Sequence, residues 1–555
     1  MKVVVLFLVC LFILPDFSLS QGSYLPVSSL SQGKVYQMAI SEEGIYKISY
    51  NFLVNEMNID PADLSSGEIE IFSNPGGILS PDFIAFNPDD LVQKNYLPIG
   101  MEDGSMDEGD YLLVFLEGPD RIYIEPNQTN LLLHEKNTYS DYNYAYIRLN
   151  IGSSPSIETL PSVSSTGDTF SYYDELLVYH EDQRNLLHEW TRLKQGSGQY
   201  WYNQWLKVAR TVELPNLFDQ QGIDYKEDAI LRVTMALRAG QNSFFEVSYQ
   251  NQTLKSPLAS RVTALTGNRD TEVAFAHRTT LQTPISLQPS APLSFTIHYP
   301  QAGEGSEGWL DYLNLQVRKH LQIREGGTQF RTLAAIHSAY ATFEIDNFTP
   351  SAKVWAIDTM GKVHEIQSEI IGNTGWVTVP DPGTYPSFLT FDPQGSFPSP
   401  LPIGIIEPQN LHGIQDAEFL IIYPEILEEP AEKLAQHRRN HDGYITEIVE
   451  VSQIFHEFGG GRPDPSAIRS FIRMVKTRSD DLKYVLLFGD GSFDHRNRYE
   501  LGNNLIPVYE TESLNPINAF PSDDFYGILF SEGADPLMGK LEVAVGRLPV
   551  ANLSE

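Results

Sequence analysis

The stretch Asp464–Asp494 reads "DPSAIRSFIRMVKTRSDDLKYVLLFGDGSFD", and it decides the fold of the C-terminal part. Asp464 can accept hydrogen bonds from the free N–H groups of a first helical turn, and Pro465 suits the first helical position. Ile468, Phe471, Ile472 and Val475 recur at i, i+3, i+4 and i+7, which makes one apolar helix face. Lys476 and Arg478 close the C-terminal end, where positive charge is favoured. The run "KYVLLFG" then predicts a strand that stops at Gly489.

The same rhythm extends to both sides. "EFLIIY" (418–423) and "YITEIVEV" (444–451) predict strands, "PAEKLAQHRRNHDG" predicts a helix stopped by Gly443, and "LEVAVGR" predicts a fourth strand over 541–545. Strands alternating with amphipathic helices over short joins imply right-handed crossovers and a mainly parallel sheet, with helix 464–478 against it. Sites in such sheets form at the carboxyl ends of the strands. "GDGSFD" lies at one of those ends.

Upstream of about Pro402 the pattern is different. "KVYQMAI" and "GIYKISY", separated by "SEEG", predict a hairpin. "EIEIFS", "YLLVFL", "AILRVTMAL", "LSFTIHY", "KVWAI", "GWVTV" and "SFLTF" continue with short strands, many of them alternating apolar and polar residues as sandwich strands do. A Ser/Thr-rich stretch at 153–169 reads as a linker. The predicted organisation is multidomain. A leader at 1–20 precedes a β-rich domain at 21–165, a β-sandwich-like domain at 166–325 and a small β domain at 326–405. An α/β unit follows at 406–555. A chain of 555 residues is too long for one ordinary core.

The leader "MKVVVLFLVCLFILPDFSLSQG" has Lys2, an apolar run at 3–14, and the small residues Ser18 and Ser20 before Gln21. That pattern predicts a secretory signal peptide cleaved before Gln21, and export. No later stretch is long and apolar enough to span a bilayer as a helix. The formal net charge of −34 repels nucleic acid, and no basic patch offsets it. Cys10 is the single cysteine. The exported chain is therefore expected to have no disulfide, cysteine metal site or cysteine nucleophile of its own.

The candidate site residues are Asp490, Ser492, Asp494, Asp523 and Asp524. Asp490, Ser492 and Asp494 have alternating oxygen-ligand spacing, but His495 and Leu501 stand where an EF-hand needs Gly and Glu. A looser calcium site and an Asx-type turn both remain open. Asp523 and Asp524 are adjacent, so on a strand they point to opposite faces and do not form a catalytic carboxylate pair. "FGGGRPD" (458–464) is glycine-rich, but its aspartate would repel a phosphate, and it reads as a flexible loop. His437 and His441 are spaced i, i+4, which permits a metal pair, although a solvated, dipole-capping role fits the helix end better.

Several segments together resemble the gingipain-type cysteine peptidases, in particular the surface sortases of the type IX secretion system. They are "EPQNLHGIQDAEFLIIYPEILEEPAEKLAQHRRNHDG", "EFGGGRPDPSAIRSFIRMV", "KYVLLFGDGSFDHRNR", "FPSDDFYG" and "VAVGRLPV". "EGIYKISYNFL", "IFSNPGG", "DEGDYLLVFLEGP" and "GWLDYLNLQVRKHL" resemble the β domains that precede that peptidase. The resemblance implies a caspase-like α/β domain and a cysteine endopeptidase. Its dyad would be a histidine in a G-H-G turn and a later cysteine, both downstream of V-G-R-[LF]-P, here Val545–Pro549. No G-H-G occurs in these residues, so the sequence is expected to be the N-terminal part of such an enzyme, holding no catalytic residue. The five candidate residues would then shape the rim of the site.

The resemblance also implies removal of C-terminal sorting domains from secreted cargo, attachment of cargo to surface lipopolysaccharide, and partners among cargo tails and outer-membrane secretion components. The location would be the cell surface. No cofactor is required; a structural calcium ion is compatible, because gingipains bind one. Two other readings stay open. One is a non-enzymatic surface binder on a degenerate peptidase scaffold. The other is a calcium-dependent glycan-binding protein.

Overall fold

The computed structural model describes residues 24–82, 87–161, 163, 167–190, 198–262, 274–530 and 535–555. The predicted signal peptide and its expected cleavage point before Gln21 lie outside them. The architecture is a set of β-rich domains followed by an α/β segment.

The N-terminal domain is a sandwich. Strand Lys34–Ile40 sits between Asn143–Leu149 and Leu401–Ile406, and Ile69–Ser73 extends that sheet. Gly44–Ser49 pairs instead with Tyr111–Leu116, in a second sheet. The expected hairpin is therefore wrong: the turn at 41–43 carries the chain from one sheet to the other. The physical reason is burial on both faces. Met38, Ile40, Tyr46 and Ile48 join Leu112, Val114, Ile69, Ile71 and Ile147 in one core, which a lone hairpin could not enclose.

The middle domain is also a sandwich. Tyr172–Tyr179, Glu307–His320, Ala229–Arg238 and His277–Ile285 form one sheet, and Thr211–Leu214, Phe295–His298, Glu246–Tyr249 and Gln252–Lys255 form the other. Leu231, Val233, Leu313 and Leu315 meet Val247, Phe295 and Ile297 between them. In the third domain Lys353–Ile357 pairs with Ser387–Phe391, while Thr374–Pro380 pairs with Tyr340–Asp346 in a separate sheet. The stretch read as a linker contributes Glu158–Leu160 and Asp168–Phe170, each added in parallel to one of these two sheets.

The α/β segment carries β1 (Phe419–Tyr423), α1 (Glu428–His437), β2 (Thr446–Glu450), α2 (Val451–Phe458), α3 (Pro465–Arg478), β3 (Tyr484–Phe488) and β4 (Ala544–Leu548). The sheet order is β2-β1-β3-β4 and every pairing is parallel. The four expected strands thus share one sheet, the last displaced toward Leu548. Ile468, Phe471, Ile472 and Val475 of α3 are fully buried against Leu420, Ile422, Val485 and Leu487. Asp464 caps α3 by accepting from Ser466 N at 2.7 Å. α1 continues through a short wider turn to Gly443, whose φ of 74° is the left-handed conformation that glycine tolerates at a helix end.

Candidate functional site

The carboxyl ends of β3 and β4 open onto the loop 489–505 and the turn 521–527. Two of the candidate aspartates organise this region through Arg547, the arginine of the V-G-R-L-P segment at the end of β4. Arg547 makes a two-point contact with Asp523, Nε to Oδ2 at 2.9 Å and Nη2 to Oδ1 at 2.8 Å. It also donates to Gly489 O at 3.0 Å and Ile506 O at 2.9 Å. Burial disfavours its charge, but the Asp523 carboxylate outweighs that and holds its pKa above the ordinary arginine value, with Asp490 adding to the effect. Asp490 accepts from Gly491 N at 2.9 Å and from Asn503 Nδ2 at 2.8 Å. Asp524 is exposed. Asp523 and Asp524 lie on a short 3-10 turn rather than entering a strand.

Asp494 is buried, and its oxygens accept from Arg498 N at 2.7 Å and Tyr499 N at 2.6 Å. Ser492 Oγ accepts from Asp494 N at 3.1 Å. The Asp494 and Ser492 oxygens thus accept from backbone N–H groups, as the turn reading of "DGSFD" expects. We expect Asp494→Ala to cost about 2–4 kcal/mol, because two partly buried N–H groups lose a charged acceptor. Urea unfolding followed by tryptophan fluorescence measures it.

The turn matters because of what it presents. Phe493 stacks on His188 with centroids 4.5 Å apart, and Tyr499 lies 5.5 Å from Trp201. Tyr499 Oη accepts from Asn185 N at 2.9 Å. Arg496 reaches Asp182 at 2.8 Å and Asp141 at 3.3 Å, and Arg498 reaches Asp141 at 2.7 Å. Glu510 accepts from Gly198 N at 2.8 Å, and burial pushes its carboxyl up to about 7. The sheet-end loop is therefore clasped by the first two β domains.

"FGGGRPD" is likewise not a free loop. Arg462 is 1% exposed and donates to Pro75 O at 2.8 Å, Asn143 Oδ1 at 3.1 Å and Gly459 O at 3.2 Å. Asp464 accepts from Leu79 N at 2.9 Å as well as capping α3. Gly460 and Gly461 are required there: both have positive φ, and an added Cβ would run into Asn74 and Tyr144. A salt-bridged pair stands behind α2. Glu457 and His412 are both fully buried, with Oε2 2.5 Å from Nδ1.

Among the described residues, two groups bring at least three candidate metal donors together, and the five sequence-predicted residues belong to neither. One is His437, His441 and Asp442, all exposed, with the two rings stacked 4.9 Å apart; the other is His180, Asp182 and Asp311. Ser492 bonds to Asn504 and Asp494 rather than to a histidine, so no serine triad forms around it. Sequence reasoning missed Arg462, Arg496, Glu510 and Arg547 as organising residues. Only Arg547 carried a signal, through the V-G-R-L-P segment.

Residues 413–555 match the model of peptidase family C25. A crystal structure of dimeric latent PorU from Porphyromonas gingivalis has the same fold. The TM-score is 0.79 at 20% identity, over 96% of this chain and 49% of that one. The chain thus spans about half the length of the PorU chain it matches. Two structures of BuGH86 in complex with neoagarooctaose, matched at 8% identity over 52% of this chain and 33% of theirs, have a TM-score of 0.15 and carry no argument. No curated protein matches the sequence. No described helix is long and apolar enough to cross a membrane.

Proposed function

We propose that the protein is exported by its leader and works at the cell surface as a gingipain-type cysteine endopeptidase, the sortase of a type IX secretion system. It removes C-terminal sorting domains from cargo and assists their transfer to lipopolysaccharide. Its partners are cargo tails and outer-membrane components of the secretion machine. One observation carries this reading: a family C25 segment at 413–555 stands in a chain whose fold follows PorU over nearly its whole length. Residues 24–406 then serve as the platform that holds the sheet-end loop. Asp490, Asp494, Asp523 and Asp524 are scaffold, not chemistry. Deleting the gene in the source organism should leave cargo proteins with uncleaved sorting domains, read by mass spectrometry of the surface fraction. Normally processed cargo in the deletion strain would sink the proposal.

A second reading is a surface binder on a degenerate peptidase scaffold, and these 555 residues hold one cysteine, Cys10. A cysteine peptidase needs a thiolate with a neighbouring base. Accordingly, the purified 555-residue chain, freed of its leader, should hydrolyse no peptide. Hydrolysis that survives thiol alkylation and is lost in Ser492→Ala would overturn the cysteine-peptidase reading.

A further inference from the structure

His180, Asp182 and Asp311 converge at the edge of the middle sandwich, beside the first β domain. His180 Nε2 stands 3.1 Å from Asp182 Oδ1 and 3.4 Å from Asp311 Oδ1, and the three side chains are 13%, 9% and 6% exposed. All three donor atoms lie within 4.8 Å of one another. Tetrahedral zinc, with ligands at about 2.0–2.2 Å, sets its donor atoms roughly 3.3–3.5 Å apart. The separation from Asp311 is of that size, and the one from Asp182 is a little shorter.

The surroundings complete the pattern. Metal-bound histidines pass their other ring nitrogen to an acceptor, and ligating carboxylates are themselves hydrogen-bonded. Here His180 Nδ1 is 3.4 Å from His134 Nδ1, and His134 Nε2 is 3.1 Å from Asp120 Oδ2. The second oxygen of Asp182 accepts from Arg496 at 2.8 Å, and that of Asp311 from Arg278. A separate observation points the same way. Tyr202 is fully buried, its hydroxyl has no hydrogen-bond partner, and it stands within electrostatic reach of both Asp311 and Asp182.

We propose that His180, Asp182 and Asp311 bind a zinc ion, with the side of the ion toward Tyr202 left for a fourth donor. One imidazole and two carboxylates suit zinc; calcium would ask for about six to eight oxygens, more than these side chains supply. The ion would fix Asp182, and through it Arg496 of the sheet-end loop. A proton on His180 Nε2, donated to both carboxylates, is the competing occupant of the same space.

The test uses the untagged full chain carrying His441→Ala, which removes the exposed His437/His441/Asp442 group from the count. The protein is loaded with zinc, passed over chelating resin and analysed by elemental mass spectrometry. The proposal expects roughly one zinc per chain, a rise in the unfolding temperature with zinc but not with calcium, and loss of the zinc in Asp311→Asn. Asparagine there keeps an oxygen for Arg278, and circular dichroism checks its fold; Asp182→Asn replaces it if it fails to fold. Less than about a tenth of a zinc per chain in the His441→Ala protein, or undiminished zinc in the folded asparagine variant, would overturn the proposal.

Discussion

Arg462→Ala is expected to lower stability by about 3–5 kcal/mol, the range for removing one member of a buried charged network. The guanidinium is buried between α2 and the first β domain, where burial lowers its pKa while the charges of Asp464 and Glu117 work in the other direction. Truncation leaves Pro75 O, Asn143 Oδ1 and Gly459 O without their donor, and Asp464 without its nearest cation. It also opens a cavity under Gly460 and Gly461. Arg462→Met should recover part of the loss, because its chain refills the space of the arginine stem without restoring the hydrogen bonds. Urea titration of both variants decides this; an alanine variant within about 1 kcal/mol of the parent would refute the role given to Arg462.

His495→Phe is expected to stabilise the protein, and more so in acid. His495 is buried edge-on against Tyr139 at 4.9 Å, and neither ring nitrogen has a partner. Burial, with the charge of Arg496 beside it, lowers its pKa to about 3. The unfolded chain takes up the proton at the ordinary value of about 6.5, the folded chain only near 3. Below pH 6.5 the unfolded state therefore holds more protons, so the contribution of this group is intact above 6.5 and is lost as pH falls. The slope is about 1.4 kcal/mol per pH unit between those limits. Phenylalanine keeps the ring contact and removes both the titration and the unpaired nitrogens, which adds about 1–3 kcal/mol at neutral pH. Comparing the two proteins at pH 7, 6 and 5 isolates this histidine from every other titrating group. A difference that does not widen toward pH 5 would contradict the burial of a neutral imidazole.

Local pattern carried the α/β segment. α3 was legible because its cap, its first-turn proline and its apolar stripe all lie within 464–478, and the four parallel strands were legible as continuous apolar runs. α2 was missed although Val451, Ile454, Phe455 and Phe458 have helical spacing. Its cap, Glu450, is also the last residue of β2, so a β-rich run flows into it without a turn. Arg462 was misread because its partners stand 319 and 387 residues away, and a glycine-rich stretch gives no local sign of them. The pairing of Lys34–Ile40 was misread for a related reason. Alternation fixes which residues form a strand, but the choice between hairpin and sheet corner is set by the core the strands must share. At the site, the spacing of Asp490, Ser492 and Asp494 located the loop correctly, yet Asp494 serves the backbone of 498–499. What the loop binds is aromatic and charged surface from residues 139–201.

That clasp is the central claim, and native-state hydrogen exchange of the whole chain tests it most directly. The amides of Arg498 and Tyr499, bonded to Asp494, and of Asn185, bonded to Tyr499, should share one protection level. They should lose it together in Asp494→Ala. Rapid exchange at 498–499 beside a well-protected Asn185 would show the sheet-end loop to be free of the β domains and would contradict the account.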